Sequence, residues 1–330
     1  MQVQCRRVFF PIYRGKAPEG DGMEAVCAGS TIGAYRVEEF IGRGGFACLY
    51  RAKARNGENV ALKIGSASGG GRYITRFNEV TDERRPDGVS PDEAPAEVVV
   101  FGNGAARLEF LDVHEVGALF QREYELLARI CHRNVVNARE IFTHEDRTVL
   151  VMDYVPGKTL REKIRNCEGI RLNWFLTIVR ALVELKRSGK LAYHGDVKPE
   201  NIIVKPSGSV VLIDPAARDA EQSMITTSPH YNPLFLCSSK ADVMGIGVML
   251  YEILTGVMPF DEVPWEFAGR ESHGEEEQFS LSYFLSYPPA KRLKPNTPEA
   301  LERIVSHCLT AADYDLPELE ADIVAFLRME

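Results

Sequence analysis

The chain carries the run His194-Gly195-Asp196-Val197-Lys198-Pro199-Glu200-Asn201, and the apolar run Ile202-Ile203-Val204 follows it directly. An acid, a cation and an amide thus stand within a few residues of one another. A carboxylate can orient a hydroxyl group, an ammonium can neutralise phosphate, and an amide oxygen is a hard ligand of the kind that magnesium accepts. The run therefore predicts a loop that handles phosphate and metal.

The same run resembles the catalytic loop of protein kinases, in which His-Arg-Asp is followed by a lysine and then by an asparagine. The resemblance implies that Asp196 orients a substrate hydroxyl or accepts its proton. It also implies that Lys198 neutralises charge on the transferring phosphoryl group and that Asn201 holds a magnesium ion. Phosphoryl transfer depends mainly on positioning and electrostatic stabilisation, so several polar residues are needed together. Lys198 followed by Pro199-Glu200 resembles the serine/threonine branch of the family.

The composition is that of a soluble globular chain. With 330 residues, of which 45% are hydrophobic and 26% charged, it is long enough for one bilobal unit or two small domains. A formal net charge of −8 argues against nucleic acid or an anionic membrane as an obligate partner. The sequence shows no run of membrane-spanning length and no apolar signal core. Seven scattered cysteines without a Cys-x-x-Cys pair indicate reduced thiols, so we expect a cytoplasmic protein.

A glycine-rich turn lies between two predicted strands near the start of the chain. It reads Gly42-Arg43-Gly44-Gly45-Phe46-Ala47-Cys48-Leu49-Tyr50 and precedes Val60-Ala61-Leu62-Lys63. The second run resembles the kinase Val-Ala-Ile-Lys, whose lysine contacts the α- and β-phosphates of ATP. Ala47 stands where the family has its third glycine, and its methyl group permits close approach but stiffens the loop. A dinucleotide fold would place the glycines between a strand and a helix, and that context is missing.

The resemblance implies a set of nucleotide-binding residues, with ATP and Mg²⁺ or Mn²⁺ as cofactors. At the hinge between the lobes, Met152 would be the gatekeeper, and the backbone from Asp153 to Val155 would hydrogen-bond the adenine. The implied set is Gly42, Gly44, Gly45, Ala47, Leu49, Ala61, Lys63, Met152, Asp153, Val155 and Ile203.

The acidic partner of Lys63 is expected on a helix near residues 120–130, where apolar residues recur at helical spacing. The following run, at 132–136, resembles the kinase His-Pro-Asn-Ile-Val. Counting back from this landmark selects Glu123 rather than Glu125.

A second magnesium ligand is implied after the apolar run 209–213. Asp214 stands at the position of the aspartate of the kinase Asp-Phe-Gly, whereas Pro215 and Ala216 replace the other two residues. In the family that phenylalanine packs under the glutamate-bearing helix. The replacement therefore implies a differently built and less switchable contact.

The activation segment is expected at Thr226, Thr227 and Ser228, and Ser228 fits best as the hydroxyl near the catalytic Asp and Lys. The segment lacks the final glutamate of the family pattern, where Leu234 stands. The arginine that pairs with that glutamate is also missing from residues 312–317. Removing both charges avoids leaving one buried and unpaired, so the two departures are consistent. Gly195 replaces the arginine that clamps an activation-loop phosphate, so we expect activity without that phosphorylation.

Between Lys63 and the predicted helix lies an insertion at about residues 65–113, with a linker at 66–71 and a hairpin that joins 98–101 to 107–111. It is either a site for a regulatory partner or a surface decoration. We expect an N-terminal extension at 1–30, a small lobe at 31–155 and a large lobe at 156–330. The expected fold class is α+β, a bilobal protein-kinase-like fold with a small antiparallel β-sheet lobe and a mainly helical large lobe.

The large lobe is marked by the run 241–256 with Pro259-Phe260 after it, which resembles the central helix of kinases. Later helices are predicted from Pro298, with Thr297 as the cap, and from Leu316. The favoured function is an active serine/threonine kinase that phosphorylates proteins, including itself.

Two alternatives remain. A small-molecule kinase of the aminoglycoside-phosphotransferase type would share His194-Gly195-Asp196 and Asp214-Pro215-Ala216, but Lys198 and the run 241–256 argue against it. A pseudokinase would explain Ala47, Pro215, Ala216 and Leu234, although none of these changes removes a phosphate or metal ligand.

Overall fold

The computed structural model describes residues 26–44, 47–65, 74–78, 98–101, 104–109, 113–216, 228, 230–234, 236–260 and 287–329. The strands are β1 (Thr31–Ile32), β2 (Tyr35–Arg43), β3 (Ala47–Lys53), β4 (Asn59–Gly65), β5 (Ile74–Asn78), β6 (Val98–Phe101), β7 (Gly104–Glu109), β8 (Ala138–His144), β9 (Arg147–Asp153), β10 (Lys158–Thr159), β11 (Ile202–Val204) and β12 (Val210–Leu212). The helices are α1 (Val113–Leu127), α2 (Leu160–Arg165), α3 (Leu172–Arg187), α4 (Ser239–Thr255), α5 (Ala290–Leu293), α6 (Glu299–Thr310) and α7 (Leu316–Met329), and a short 3-10 helix spans Pro199–Asn201.

Six strands form an antiparallel sheet in the order β1-β2-β3-β4-β9-β8. Successive side chains of a strand point to opposite faces. One face of this sheet buries Tyr50, Leu62 and Val151 in its own apolar cluster. The other face contributes Ala61 and Met152 to the cluster that also contains α1. The central strand β4 is therefore covered on both sides.

Helix α4 is the centre of the helical lobe. Every residue from Ala241 to Leu254 is buried, as expected for a helix that is apolar all round. Its N-cap Ser238 accepts a hydrogen bond from the Lys240 amide, and the chain leaves the helix at Gly256 in the left-handed conformation, with φ +79°. An added Cβ at Gly247 would lie 2.4 Å from the Cβ of Cys308, so this glycine allows α6 to approach closely. The bilobal α+β arrangement predicted from the sequence is confirmed.

The loop after α1 is attached to the helical lobe. The amide of Val136 donates to the carbonyl of Leu212 at 3.0 Å, and the Leu212 amide donates to the Asn134 carbonyl at 2.8 Å. The side-chain amide of Asn134 also donates to the Val210 carbonyl at 2.7 Å, and Asn134 is buried. The loop that follows α1 is therefore fixed to β12.

The insertion between β4 and α1 contains a second antiparallel sheet, in the order β5-β7-β6. The predicted pairing of 98–101 with the following strand is present, but that strand lies at Gly104–Glu109 rather than at 107–111, and Phe101 pairs with Gly104. Strand β5 adds to the far side of β7, which the sequence did not predict.

The start of α6 differs from the prediction. Pro298 occupies the N-cap position, with no side-chain cap hydrogen bond. The Thr297 hydroxyl instead donates to the Lys294 carbonyl at 2.8 Å, so Thr297 closes the preceding turn and the predicted cap is wrong. Across the helices of the described ranges, none combines the length and the hydropathy that a membrane span needs.

Candidate active site

The loop between α3 and β11 is held by its backbone. The two carboxylate oxygens of Asp242 accept the amide N–H groups of His194, at 2.9 Å, and Gly195, at 2.7 Å. Asp242 lies on α4 and has no exposed surface. Gly195 has φ +83°, a backbone conformation that residues other than glycine rarely adopt. A buried carboxylate on the central helix thus sets the path of the loop.

Three of the predicted catalytic-loop residues converge in this loop. The Lys198 ammonium donates to Asp196 Oδ2 at 2.6 Å, and the Asn201 amide donates to the same oxygen at 3.0 Å and to the Asp196 carbonyl at 2.8 Å. Burial disfavours the ammonium of Lys198, but the neighbouring Asp196 carboxylate outweighs burial and raises its pKa. The Lys198 ammonium therefore keeps its charge in contact with Asp196.

Ser228 completes this contact from the activation segment. Its amide donates to Asp196 Oδ1 at 3.0 Å, and its hydroxyl oxygen lies 2.7 Å from the Lys198 ammonium. This is the placement expected for Ser228 from the sequence. The other two predicted segment residues, Thr226 and Thr227, lie outside the described residues.

His194 is a buried and neutral member of the loop. Its Nε2–H donates to the Ile213 carbonyl at 3.0 Å, and its Nδ1 accepts the Asp196 amide at 3.3 Å. Protonation at Nδ1 would place its N–H against the amide N–H of Asp196. Burial lowers the pKa of His194 to about 4, against the opposing effect of the nearby carboxylates. His194 therefore joins the loop to the segment before Asp214 without carrying charge.

Lys63 lies between two carboxylates. Its ammonium donates to Glu123 at 2.9 and 2.7 Å and to Asp214 Oδ1 at 2.6 Å. The Glu123 side chain is 3% exposed, whereas that of Asp214 is 46% exposed, so one partner is buried and the other faces solvent. Burial opposes the charge on Lys63, but Asp214 and Glu123 together raise its pKa. The helix residue that the sequence selected is the one in contact.

Asp214 has an unusual backbone conformation, with φ +59°. Three hydrogen bonds surround it: the Asn201 amide donates to its carbonyl at 3.3 Å, the Ile213 amide donates to the Asn201 carbonyl at 2.9 Å, and the Ala216 amide donates to the His194 carbonyl at 2.9 Å. Non-glycine residues in this region are strained and persist only where their surroundings hold them. The catalytic loop thus fixes the backbone conformation at Asp214.

Strand register places the predicted nucleotide-binding side chains on one face of the main sheet. Leu49 pairs with Lys63 and Ala61 pairs with Met152, so all four point to the same side. Ala47 belongs to this face as well, and its carbonyl accepts the Gly44 amide at 2.8 Å. An added Cβ at Gly42 would meet nothing within 4 Å. Cys48 lies on the opposite face and is 4% exposed.

The hinge and β11 carry the rest of the predicted nucleotide-binding residues. The Asp153 amide donates to the Asn137 carbonyl at 3.0 Å, which fixes the start of the hinge. Val155 and Ile203 are partly buried beyond it. Gly45 lies outside the described residues.

The missing ion pair of the activation segment is replaced by other contacts. Leu234, at the position of the expected glutamate, is 2% exposed and packs in the main core. Asp315, in the stretch where the arginine is missing, accepts from Lys186 at 2.8 Å and from Ser239 at 3.0 Å. The packing of Leu234 and the hydrogen bonds of Asp315 therefore take the place of the single ion pair of the family.

Two polar residues in contact with the site had no assigned role in the sequence. Asp242 was visible only as part of a helix that resembles the family, and Arg161 on α2 carried no signal. Arg161 is 6% exposed and its Nε donates to Glu200 at 2.7 Å. Neither contact follows from local sequence, because each joins elements far apart in the chain.

The site suits a nucleotide and a magnesium ion by the chemistry of its donor groups. Asp214 offers a carboxylate that is partly open to solvent. The amide nitrogen of Asn201 is committed to Asp196 and Asp214, which leaves its oxygen as the side-chain atom for a cation. Carboxylate and amide oxygens are hard ligands that suit magnesium, and the Lys63 ammonium suits phosphate.

Comparison with known proteins gives one family match and several relatives. The family model described as protein kinase domain matches residues 112–315, which is more than half of the chain. The probable serine/threonine-protein kinase PknB of Lactococcus lactis is 29% identical over 238 residues, 64% of this chain and 35% of the relative. The serine/threonine-protein kinase PrkC of Bacillus subtilis is 29% identical over 242 residues, 66% of this chain and 35% of the relative. The chain thus spans about a third of the length of these two relatives.

Solved structures with the same fold cover most of the chain. The structure titled PpkA-294 apo form has a TM-score of 0.62 and 18% identity, over 91% of this chain and 99% of that one. The PknI kinase domain of Mycobacterium tuberculosis has a TM-score of 0.57 and 18% identity, again over 91% of this chain and 99% of that one. At this identity the likeness concerns the fold.

Proposed function

This chain belongs to the protein kinase family, and from that premise we propose that it transfers the γ-phosphate of ATP to serine or threonine hydroxyls of proteins, including its own. The proposal takes residues 31–155 as the small lobe and residues 156–330 as the large lobe. The observation that carries it is the convergence of two groups of side chains. Asp196, Lys198 and Asn201 meet in the catalytic loop, and Lys63 meets Glu123 and Asp214 beside it.

The proposed nucleotide side of the site consists of Lys63, Asn201 and Asp214. When bound, the nucleotide supplies the phosphoryl group and magnesium stabilises the charge on its oxygens. Glu123 holds the Lys63 ammonium in place through both carboxylate oxygens, which stabilises one orientation of a flexible side chain. The Lys63 ammonium then offers positive charge to phosphate, while Asn201 and Asp214 offer oxygen ligands to the metal. The apolar side chains of Ala47, Leu49, Ala61 and Met152 on the main sheet, together with Ile203 on β11, would cover the adenine.

The proposed acceptor side consists of Asp196, Lys198 and Ser228. Asp196 accepts from Lys198, Asn201 and the Ser228 amide, so its carboxylate has a fixed direction. In this role the carboxylate orients the substrate hydroxyl and accepts its proton. Lys198 is the cation next to that carboxylate and offsets the charge that develops during transfer. Holding the groups before substrate arrives lowers the cost of orientation during the reaction.

The test is transfer of labelled phosphate from ATP with magnesium, to generic protein substrates and to the chain itself. Asp196→Asn removes the carboxylate, and Asp313→Asn, at an exposed position, is the matched control. We expect labelling of serine and threonine by the wild type and by Asp313→Asn, and none by Asp196→Asn. Nucleotide binding should survive in Asp196→Asn, because Lys63, Asn201 and Asp214 remain.

The alternatives predict different outcomes of the same assay. Transfer to small hydroxylated molecules but not to protein would favour the small-molecule kinase. Nucleotide binding with no transfer to any acceptor would favour a pseudokinase. Labelling that persists in Asp196→Asn would contradict the proposed role of that residue.

The partner of the insertion is also a proposal. The sheet β5-β7-β6 lies in the chain between β4, which carries Lys63, and α1, which carries Glu123. A regulatory protein bound to this sheet would therefore act next to the elements that form the Lys63–Glu123 pair. We also propose a reducing, cytoplasmic compartment, because seven scattered cysteines without a Cys-x-x-Cys pair are typical of reduced thiols.

A further inference from the structure

A buried polar cluster lies beside the acceptor side of the site, and it consists of Arg161, Glu200, Tyr231 and Glu252. Arg161 Nε donates to Glu200 at 2.7 Å, and its two terminal nitrogens donate to the Glu252 carboxylate and to the Tyr231 hydroxyl. The Tyr231 hydroxyl in turn donates to Glu252 at 2.9 Å. Arg161, Tyr231 and Glu252 are each less than a tenth exposed.

The charges of this cluster do not suit a purely stabilising role. One guanidinium faces two carboxylates, so the cluster keeps a negative charge. Buried ion pairs contribute little net stability, because desolvation offsets their attraction. In addition, Oε2 of Glu200 is buried and has no hydrogen-bond partner among the described residues. An unsatisfied buried oxygen is destabilising, so apolar packing would stabilise this position better.

The cluster connects four separate elements. Arg161 lies on α2, Glu200 on the 3-10 helix of the catalytic loop, Tyr231 after the activation segment and Glu252 on α4. A capping box between Thr159 and Glu162 fixes the start of α2. Leu160 and Arg161 lie between these two residues in the chain. Arg161 therefore projects from a defined helical turn.

Two paths lead from Arg161 to the acceptor side. Through Glu200 it holds the middle of the catalytic loop, since Glu200 lies between Lys198 and Asn201 in the chain. Through Tyr231 it holds the activation segment, since the Tyr231 amide donates to the Ser228 carbonyl at 2.8 Å. The paths meet again where Ser228 contacts Lys198. These contacts and the chain between Lys198 and Glu200 thus form a closed ring, which includes two residues in contact with Asp196, namely Lys198 and Ser228.

We propose that Arg161 is a positioning residue for the protein substrate, which sets Ser228 and Lys198 relative to Asp196 through Tyr231 and Glu200. This inference rests on the proposed kinase function. It assigns Arg161 no contact with nucleotide. The ring lies on the acceptor side, so its loss should change the use of the protein substrate and leave the use of ATP unaltered.

The test uses Tyr231→Phe, which removes one hydroxyl group from the ring of contacts. The aromatic side chain stays in the core. Tyr314→Phe is the matched control, because Tyr314 is also buried in the large lobe and its hydroxyl donates to Asp322 at 3.0 Å. For Tyr231→Phe we expect kcat/KM for the protein substrate to fall about 10-fold, in line with the loss of one charge-assisted hydrogen bond. KM for ATP should stay unchanged. Tyr314→Phe should leave both parameters unchanged.

A second variant, Arg161→Lys, keeps the charge but has one nitrogen where three are used. We expect it to lower kcat/KM for the protein substrate at least as much as Tyr231→Phe, again with unchanged KM for ATP. If it fails to fold, the result for Tyr231→Phe decides.

Three outcomes would overturn the inference. Unchanged use of the protein substrate in Tyr231→Phe would show that the ring does not position it. Equal losses for protein and for ATP would show a merely structural role. A wild type that labels no protein would overturn the proposed function and this inference with it, whereas the first two outcomes leave the proposed function intact.

Discussion

Gly245 lies directly against the carbonyl of Val197: a Cβ built on Gly245 would be 2.4 Å from that oxygen, far inside contact distance. Val197 stands between Asp196 and Lys198 in the catalytic loop, and Gly245 lies on the buried helix α4. The loop can therefore take its observed path only because this position has no side chain.

Gly245→Ala should displace the catalytic loop. We expect a loss of about 1–3 kcal/mol in the free energy of unfolding, as for other overpacked cores. We expect phosphate transfer to fall by at least about 10-fold, because small misplacements of reacting groups are costly. Urea unfolding and the transfer assay measure the two effects. Gly169→Ala is the control, since a Cβ there meets nothing within 4 Å. Full activity in Gly245→Ala would show that the loop tolerates displacement.

Glu123→Gln should reduce transfer by about 10²-fold, because Lys63 loses the buried carboxylate that orients it. The neighbouring Glu125→Gln should have no effect, since Glu125 is exposed and contacts Gln121 on the same helix. Initial rates at saturating ATP measure the difference. Equal activity of the two variants would mean that Asp214 alone is enough to hold Lys63.

The pH dependence of stability should carry a signature of His194. Its folded-state pKa of about 4 lies below the usual 6.5, so the unfolded chain binds the proton first as pH falls. The free energy of unfolding should therefore decrease between pH 6.5 and 4, by about 3 kcal/mol at the acid end of that range.

Urea unfolding of the wild type and of His194→Gln, at several pH values in this range, isolates the effect. Glutamine can still donate to the Ile213 carbonyl but does not titrate. Other groups contribute to both proteins alike, so the difference between the two curves should shrink as pH falls. A constant difference would contradict the neutral, buried assignment of His194.

Treatment with a phosphatase should leave the transfer rate unchanged within a factor of about two. A phosphate on the activation segment usually acts through an arginine beside the catalytic aspartate. Here Gly195 occupies that position with φ +83°, and Asp242 rather than a phosphate holds its backbone. Rates before and after treatment, with a heat-inactivated phosphatase as the control, measure the effect. Loss of phosphate transfer after treatment would contradict the prediction.

Much of the fold was predictable from local sequence. Alternating strands around the glycine turn, the helical spacing near Glu123 and the apolar run of α4 each depend on neighbours in the chain. The contact of Lys63 with Glu123 was also predictable, because resemblance to a family supplies a partner that spacing alone does not. The roles of the site residues stay predictions until activity is measured.

Other features could not be predicted, for identifiable reasons. Asp242 binds Gly195 across 47 positions, and Arg161 binds Glu252 across 91, so no periodicity connects them. Thr297 was misassigned as a cap because a threonine before a proline also suits a turn, and the fold used it there. Strand β5 pairs with β7 across the long insertion, where the sequence gives no register.

The attachment of the loop after α1 to β12 has a mechanical consequence. Strand β12 leads directly to Asp214, whereas α1, which carries Glu123, packs on the sheet that carries Lys63. Of the two ion pairs of Lys63, the pair with Glu123 therefore joins elements that pack on each other, and the pair with Asp214 joins the sheet to the helical lobe. A rotation of the sheet and α1 about the attached loop would break only the pair with Asp214. The orientation of the two lobes is thus coupled to the charged centre through the contact between Lys63 and Asp214.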